Sequence, residues 1–179
     1  MSDVLERHAL VLGGARSGKT RAALDWAEAL GPDRLYIATA EPLDDEMRDR
    51  IARHKAERGE GWRTVEAALD LPASLAASTN LDAVVVDCLT LWLSNLMHHG
   101  RDPEAEAEWL VQALGATRTP VLMVSNEVGL GLVPETKLGR AFRDAQGRLN
   151  QRIAKAVGNV VFIAAGLPLR LKGVGRYEG

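Results

Sequence analysis

The stretch GGARSGKT, Gly13 to Thr20, follows directly on the apolar run Ala9-Leu10-Val11-Leu12 and leads into RAALDWAEAL. No other stretch constrains the fold so narrowly. It fits G-x-x-x-x-G-K-[ST], with Gly13, Gly18, Lys19 and Thr20 at the fixed positions and Gly14, Ala15, Arg16 and Ser17 between them. A phosphate chain needs backbone N–H groups aimed at it. Glycines let the backbone curl tightly and approach without a Cβ clash. The pattern from Thr20 to Leu30 predicts a helix, whose first N–H groups and dipole add to the same anion site. Lys19 is placed to reach the β- and γ-phosphates, and the Thr20 hydroxyl to ligate Mg2+. A chance glycine-rich turn would not bring the whole motif in its strand–loop–helix context.

Beyond this loop, short β-rich apolar runs alternate with helical patterns. Strands are expected at His8–Leu12, Arg34–Ala38, Ala83–Cys88, Val121–Ser125 and Val160–Ala164. Runs such as AVVVDC and NVVFIAA are apolar on both parities, the mark of strands buried on both faces of a sheet. Helices are expected at Thr20–Leu30, Asp45–Arg58, Leu91–His98, Pro103–Leu114 and Thr136–Val157. The alternation predicts an α/β fold, a mostly parallel sheet with helices on both faces, with ligands at the carboxyl ends of the strands. The segment Glu66 to Asn80 gives the least definite pattern. No repeat, low-complexity tract or linker divides residues 1–179, so a single domain is expected.

Composition narrows the partners. The 179 residues are 46% hydrophobic, enough for one substantial core, and the net charge is -2. A sequence pI of about 6.1 leaves no basic excess for a polyanion. Only 4% of residues are aromatic, so stacking platforms for single-stranded nucleic acid are scarce and no nucleic-acid partner is expected. The single Cys88 excludes an internal disulfide, reads as a small core residue, and fits a reducing cytoplasm. MSDVLERHA lacks a signal-peptide pattern, and no apolar run reaches the ~18 residues of a membrane span.

Strand ends supply further site candidates. Asp87 ends the run LDAVVV, where P-loop proteins place a second acid; it is read as holding Mg2+ directly or through water, or as capping the next helix. Glu127, after VLMVSN, is either a substrate ligand or base, or a loop carboxylate. In LDDEMRDRIARHKAERGEGWRTVE, Met47, Ile51 and His54 share one helix face, with Arg48, Arg50, Arg53, Lys55 and Arg58 on the polar face. His54 on spacing alone reads as a packed histidine. The surrounding bases lower a histidine pKa and leave a neutral, nucleophilic ring, and they steer a triphosphate.

GGARSGKT, YIATAEPLDDEMRDRIARHK, GWRTVE and VSNEVGLGLVPETKLGRAFRDAQGRLNQRIA together resemble one family, the bifunctional adenosylcobinamide kinase / adenosylcobinamide-phosphate guanylyltransferases of cobalamin biosynthesis. The resemblance runs from Ala9 to Lys172. It implies a RecA-like P-loop fold, usually assembled as a homotrimer. It implies phosphorylation of the aminopropanol hydroxyl of adenosylcobinamide by ATP or GTP, then transfer of GMP from GTP to that phosphate through a guanylyl-histidine. By resemblance the GTP loop is Gly13–Thr20, the nucleotide contacts after the second strand are Ala38, Thr39 and Ala40, and the guanylylated histidine is His54. Lys55, Ala56, Glu57 and Arg58 adjoin it as GTP contacts, and Glu66 and Asp87 are acidic contacts. Arg53 stands where some relatives carry a second histidine, and Asp87 where some carry Glu. Two other readings of the P-loop stay open: a kinase of another small hydroxyl substrate, and a nucleotide-binding regulator. LTLWLSNLM, Leu89 to Met97, is apolar on more than one helical face, which fits either a subunit interface or a helix buried within one chain.

Overall fold

In a computed structural model of the chain, residues 7–41 and 61–173 are described. Their strands are β1 (Ala9–Gly13), β2 (Arg34–Ala38), β3 (Trp62–Glu66), β4 (Ala83–Asp87), β5 (Val121–Asn126), β6 (Asn159–Ala164) and β7 (Leu167–Lys172). Their helices are α1 (Lys19–Leu30), α2 (Leu71–Ala76), α3 (Leu89–His98), α4 (Pro103–Ala116) and α5 (Lys137–Ala156). The strands form one sheet in the order β3-β2-β4-β5-β1-β6-β7. All pairings are parallel except β6 with β7.

The double-parity apolar runs have a direct structural consequence. Leu10, Val84, Val86 and Met123 point into one core, under α2, α3, α4 and α5. Val11, Val85, Leu122 and Val124 point into the other, under α1. Each central strand therefore feeds both layers by strict alternation. Local chemistry sets the helix starts. Asp102 accepts from Glu104 N at 2.9 Å and Pro103 opens α4. Thr136 Oγ1 accepts from Gly139 N at 3.0 Å and opens α5.

The five expected strands and four of the expected helices are present, with ends shifted by up to two residues; the expected helix Asp45–Arg58 lies outside the described residues. β3, β7 and α2 add to the reading, and each has a physical reason for its faint signal. β3 is WRTVE, mostly exposed on one sheet edge, so it carries no apolar run. β7 is LPLRLK on the other edge, with every residue exposed, and there Pro168 costs no buried ladder bond. α2 has only six residues, too short for a helical period to register.

Candidate functional site: a phosphate loop at the carboxyl edge of the sheet

β1 ends at Gly13, the loop turns through Gly14 to Gly18, and α1 starts at Lys19. Two positions demand glycine. A Cβ on Gly13 would stand 2.6 Å from the Ile163 carbonyl of β6 and would clash with Ser17 Oγ. Gly18 has φ 97°, in the left-handed region, with the Gly166 Cα 3.3 Å from where its Cβ would be. Arg16 also has positive φ, 55°, at the exposed tip of the loop. Backbone bonds fix the curl from three sides: Ser17 N donates to Gly14 O at 3.3 Å, Gly166 N to Ser17 O at 2.8 Å, and Glu127 N to Gly13 O at 3.0 Å. The Ser17 side chain is tucked inward beneath Gly13, with its hydroxyl buried. Lys19 is 8% exposed, and its Nζ donates to Gly14 O at 2.9 Å, which holds the ammonium against the loop. Thr20 is half-buried in the first turn of α1.

On the same carboxyl side of the sheet, the ends of β3, β2 and β4 form a second row, with β5 between it and β1. Ala38 pairs with Glu66 on one side and Asp87 on the other, so an exposed and a half-buried carboxylate flank it at the carboxyl edge. Tyr36 Oη donates to Asp87 Oδ2 at 2.8 Å, which orients the acid. Thr39 is fully buried. Its hydroxyl donates to Cys88 O at 2.7 Å and accepts from Cys88 N at 2.8 Å, and its carbonyl accepts from Asn95 Nδ2 at 2.8 Å. Its side chain thus clasps β2 to β4, while Ala38 and Ala40 stay partly exposed beside it. Glu127 bends back on its own loop, accepting from Gly129 N at 2.5 Å. His54, Lys55, Ala56, Glu57 and Arg58 lie outside the described residues.

Cys88 is 6% exposed, and burial, with Asp87 adding to it, pushes its thiol up to about 11. It is therefore protonated at neutral pH and no nucleophile, as its core reading requires. The sequence reading missed three positioning residues. Tyr36 orients Asp87. Thr90 Oγ1 accepts from Asn126 N at 2.8 Å, tying α3 to the end of β5. Asn95 also donates to Ala68 O at 3.0 Å. Thr90 and Asn95 interrupt the apolar pattern of LTLWLSNLM, and that interruption was the available signal. α3 itself is buried within the chain on several faces, with Leu89, Trp92 and Leu96 at 0% exposure. Its apolar excess is taken up inside the subunit and does not argue for an interface.

Among the described residues no three His, Cys, Asp or Glu side chains gather as a metal cluster. Mg2+ needs none beside a nucleotide, because it takes one or two protein oxygens and completes its shell with phosphates and water. The donor set here fits that habit: a hydroxyl at Thr20 and a carboxylate at Asp87, with one Asp87 oxygen left beyond the Tyr36 bond. No helix among the described residues is long and apolar enough to cross a membrane.

A glycine loop at the carboxyl end of a central parallel strand, closed on a buried lysine, with an oriented acid at the carboxyl end of the strand two places away, defines a P-loop nucleotide-binding protein of RecA-like fold. Solved structures agree on the fold: the RadB recombinase has a TM-score of 0.52 at 18% identity, over 87% of this chain and 73% of its own. Flagellar accessory protein FlaH from Methanocaldococcus jannaschii has 0.52 at 10% identity, over 93% and 78%. Within that class, the chain belongs to the cobinamide kinase / cobinamide phosphate guanyltransferase family, which matches residues 9–171. It is 46% identical over 168 residues to the bifunctional adenosylcobalamin biosynthesis protein CobP of Pseudomonas aeruginosa, covering 92% of this chain and 96% of that protein. The bifunctional adenosylcobalamin biosynthesis protein CobU of Escherichia coli is 41% identical, over 91% of this chain and 98% of its own.

Proposed function

We propose that the protein phosphorylates the aminopropanol hydroxyl of adenosylcobinamide, with ATP or GTP as donor, and then transfers GMP from GTP to the resulting phosphate. The products are adenosylcobinamide-GDP and pyrophosphate. The observation that carries this reading is the closed phosphate loop, with Lys19 buried against it and Asp87 oriented at the same carboxyl side of the sheet, in a chain of this family.

In the kinase step the loop N–H groups and Lys19 hold the β- and γ-phosphates in line with the substrate hydroxyl. Little covalent work is asked of the protein; positioning and charge neutralisation carry the rate. In the guanylyl step a ring nitrogen of His54 attacks the α-phosphorus, the bond to pyrophosphate breaks, and Lys19 and the loop N–H groups take up the charge of the leaving group. The substrate phosphate then displaces His54, and the P–N bond breaks. Thr20 and Asp87 would hold Mg2+, which when bound supplies further charge neutralisation on the phosphate oxygens. Ala38, Ala40, Glu66 and Lys55 to Arg58 contribute to nucleotide binding.

The assembly is a homotrimer in the cytoplasm. Support for self-association comes from the sequence resemblance, which implies a homotrimer, and from β7, which among the described residues pairs on one side only and carries Leu167, Leu169 and Leu171 at 71%, 59% and 56% exposure. The testing experiment follows phosphate from γ-labelled ATP into cobinamide in parallel with GMP from α-labelled GTP, for the wild type and His54→Ala. The variant should lose GMP transfer and keep measurable kinase turnover. Equal loss of both in a folded protein would make His54 a shared binding residue instead.

A further inference from the structure

The loop that leaves the phosphate site carries the most exposed apolar side chains near it. Leu130, Leu132 and Val133 are 82%, 97% and 65% exposed, and Leu138, in the first turn of α5, is 70% exposed. Leu138 also lines a groove of about 560 Å³ between α3 and the start of α5, together with Ser94, Met97, His98, Thr136 and Phe142, and Thr136 ends the loop that carries the other three. We propose that this groove and the Leu130–Val133 loop seat the corrin macrocycle of the phosphoryl acceptor. The proposal rests on the functional reading above.

Three observations commit the surface to that occupant. The first is continuity with the phosphate loop. Glu127, where the apolar loop begins, donates its N–H to Gly13 O, and Thr136, where it ends, caps α5. The other wall, α3, is tied to the same place through Thr90 and Asn126.

The second is spacing. Ser94 to His98 lie four to eight residues beyond Thr90 on α3, or about 6–12 Å along a helix rising ~1.5 Å per residue. Thr90 bonds Asn126, the register partner of Gly13 at the loop, so a macrocycle seated there would stand off from the loop by a gap of that order, which a flexible side arm ending in a hydroxyl can cross.

The third is chemistry. A corrin is a broad, largely apolar body edged with carboxamides. Met97, Leu138 and Phe142 offer the apolar wall, and the exposed Ser94 and His98 offer polar atoms at its rim. Several uncovered large apolar residues on one loop are unusual on a free surface and mark a binding face.

The test measures equilibrium binding of cobinamide by its visible absorbance after ultrafiltration, in the presence of a non-hydrolysable GTP analogue. It compares the wild type with Leu132→Ser, Leu138→Ser and their double variant. These side chains are exposed, so folding should be unaffected, which retained binding of the GTP analogue verifies. Each single variant should bind cobinamide about tenfold or more weakly, the order expected for losing a buried leucine contact, and the double variant more weakly still. Wild-type protein that bound the analogue but no cobinamide would overturn the functional reading and this inference with it. Variants that bound cobinamide as tightly as the wild type would overturn the inference alone. Variants whose sedimentation showed lost self-association would assign the face to a second copy of the chain and overturn it too.

Discussion

Lys19 serves both proposed reactions through one charge. Its Nζ, 2.9 Å from Gly14 O, is already held at the loop that must grip the phosphates. Lys19→Ala should lower kinase and guanylyltransferase rates together, by about 10²–10³-fold, as for loss of one preorganised electrostatic contact. Steady-state kinetics of both half-reactions check this. Gly13→Ala acts differently, because its Cβ would meet the Ile163 backbone and the Ser17 side chain. It should weaken nucleotide binding through a displaced loop, which titration calorimetry with GTP would register as a raised Kd. His8 is a residue-scale pH device. Its Nδ1 accepts from Val121 N at 3.2 Å, so Nε2 carries the proton and donates to Leu114 O at 3.0 Å. Burial holds its pKa below the ordinary 6.5. The fold keeps it neutral while the unfolded chain takes up a proton, so its contribution is whole above that value and is lost as pH falls below it. Denaturant midpoints should therefore drop as pH is lowered through about 6.5, and His8→Gln should flatten that part of the curve.

α3 shows where element-level reading works and where it stops. Its helix was legible from Leu91 to His98, but which of its faces met solvent was not. Periodicity reports that Leu89, Leu91, Trp92, Leu93, Leu96 and Met97 are apolar; only the tertiary arrangement shows that two separate cores receive them. The central strands were legible because burial on both faces leaves an unbroken apolar run. The edges were not, since WRTVE and LPLRLK bury too little to leave a pattern. In the site, GGARSGKT and Asp87 could be read from local sequence. The clasp of Thr39, Cys88 and Asn95 could not, because it joins residues up to 56 positions apart. Asn95→Ala would leave the Thr39 and Ala68 carbonyls without their donor. We expect it to cost about 2 kcal/mol or more, read from the shift of the denaturation midpoint.

For the whole molecule, the phosphate loop and Asp87 lie on the carboxyl side of the sheet, while among the described residues the leucine-bearing β7 pairs on one side only at the end of the sheet. Light scattering at micromolar concentration should give the mass of a trimer; a monomer would contradict the proposed assembly. The central claim, however, is chemical: this P-loop protein carries GMP covalently on His54. Intact-mass spectrometry after incubation with GTP and Mg2+ tests it most directly. The account predicts one added GMP per chain, mapped to His54, removed by acid, stable to base, and missing in His54→Ala. An unmodified wild-type mass despite demonstrated GTP binding, or a full adduct on His54→Ala, would contradict it.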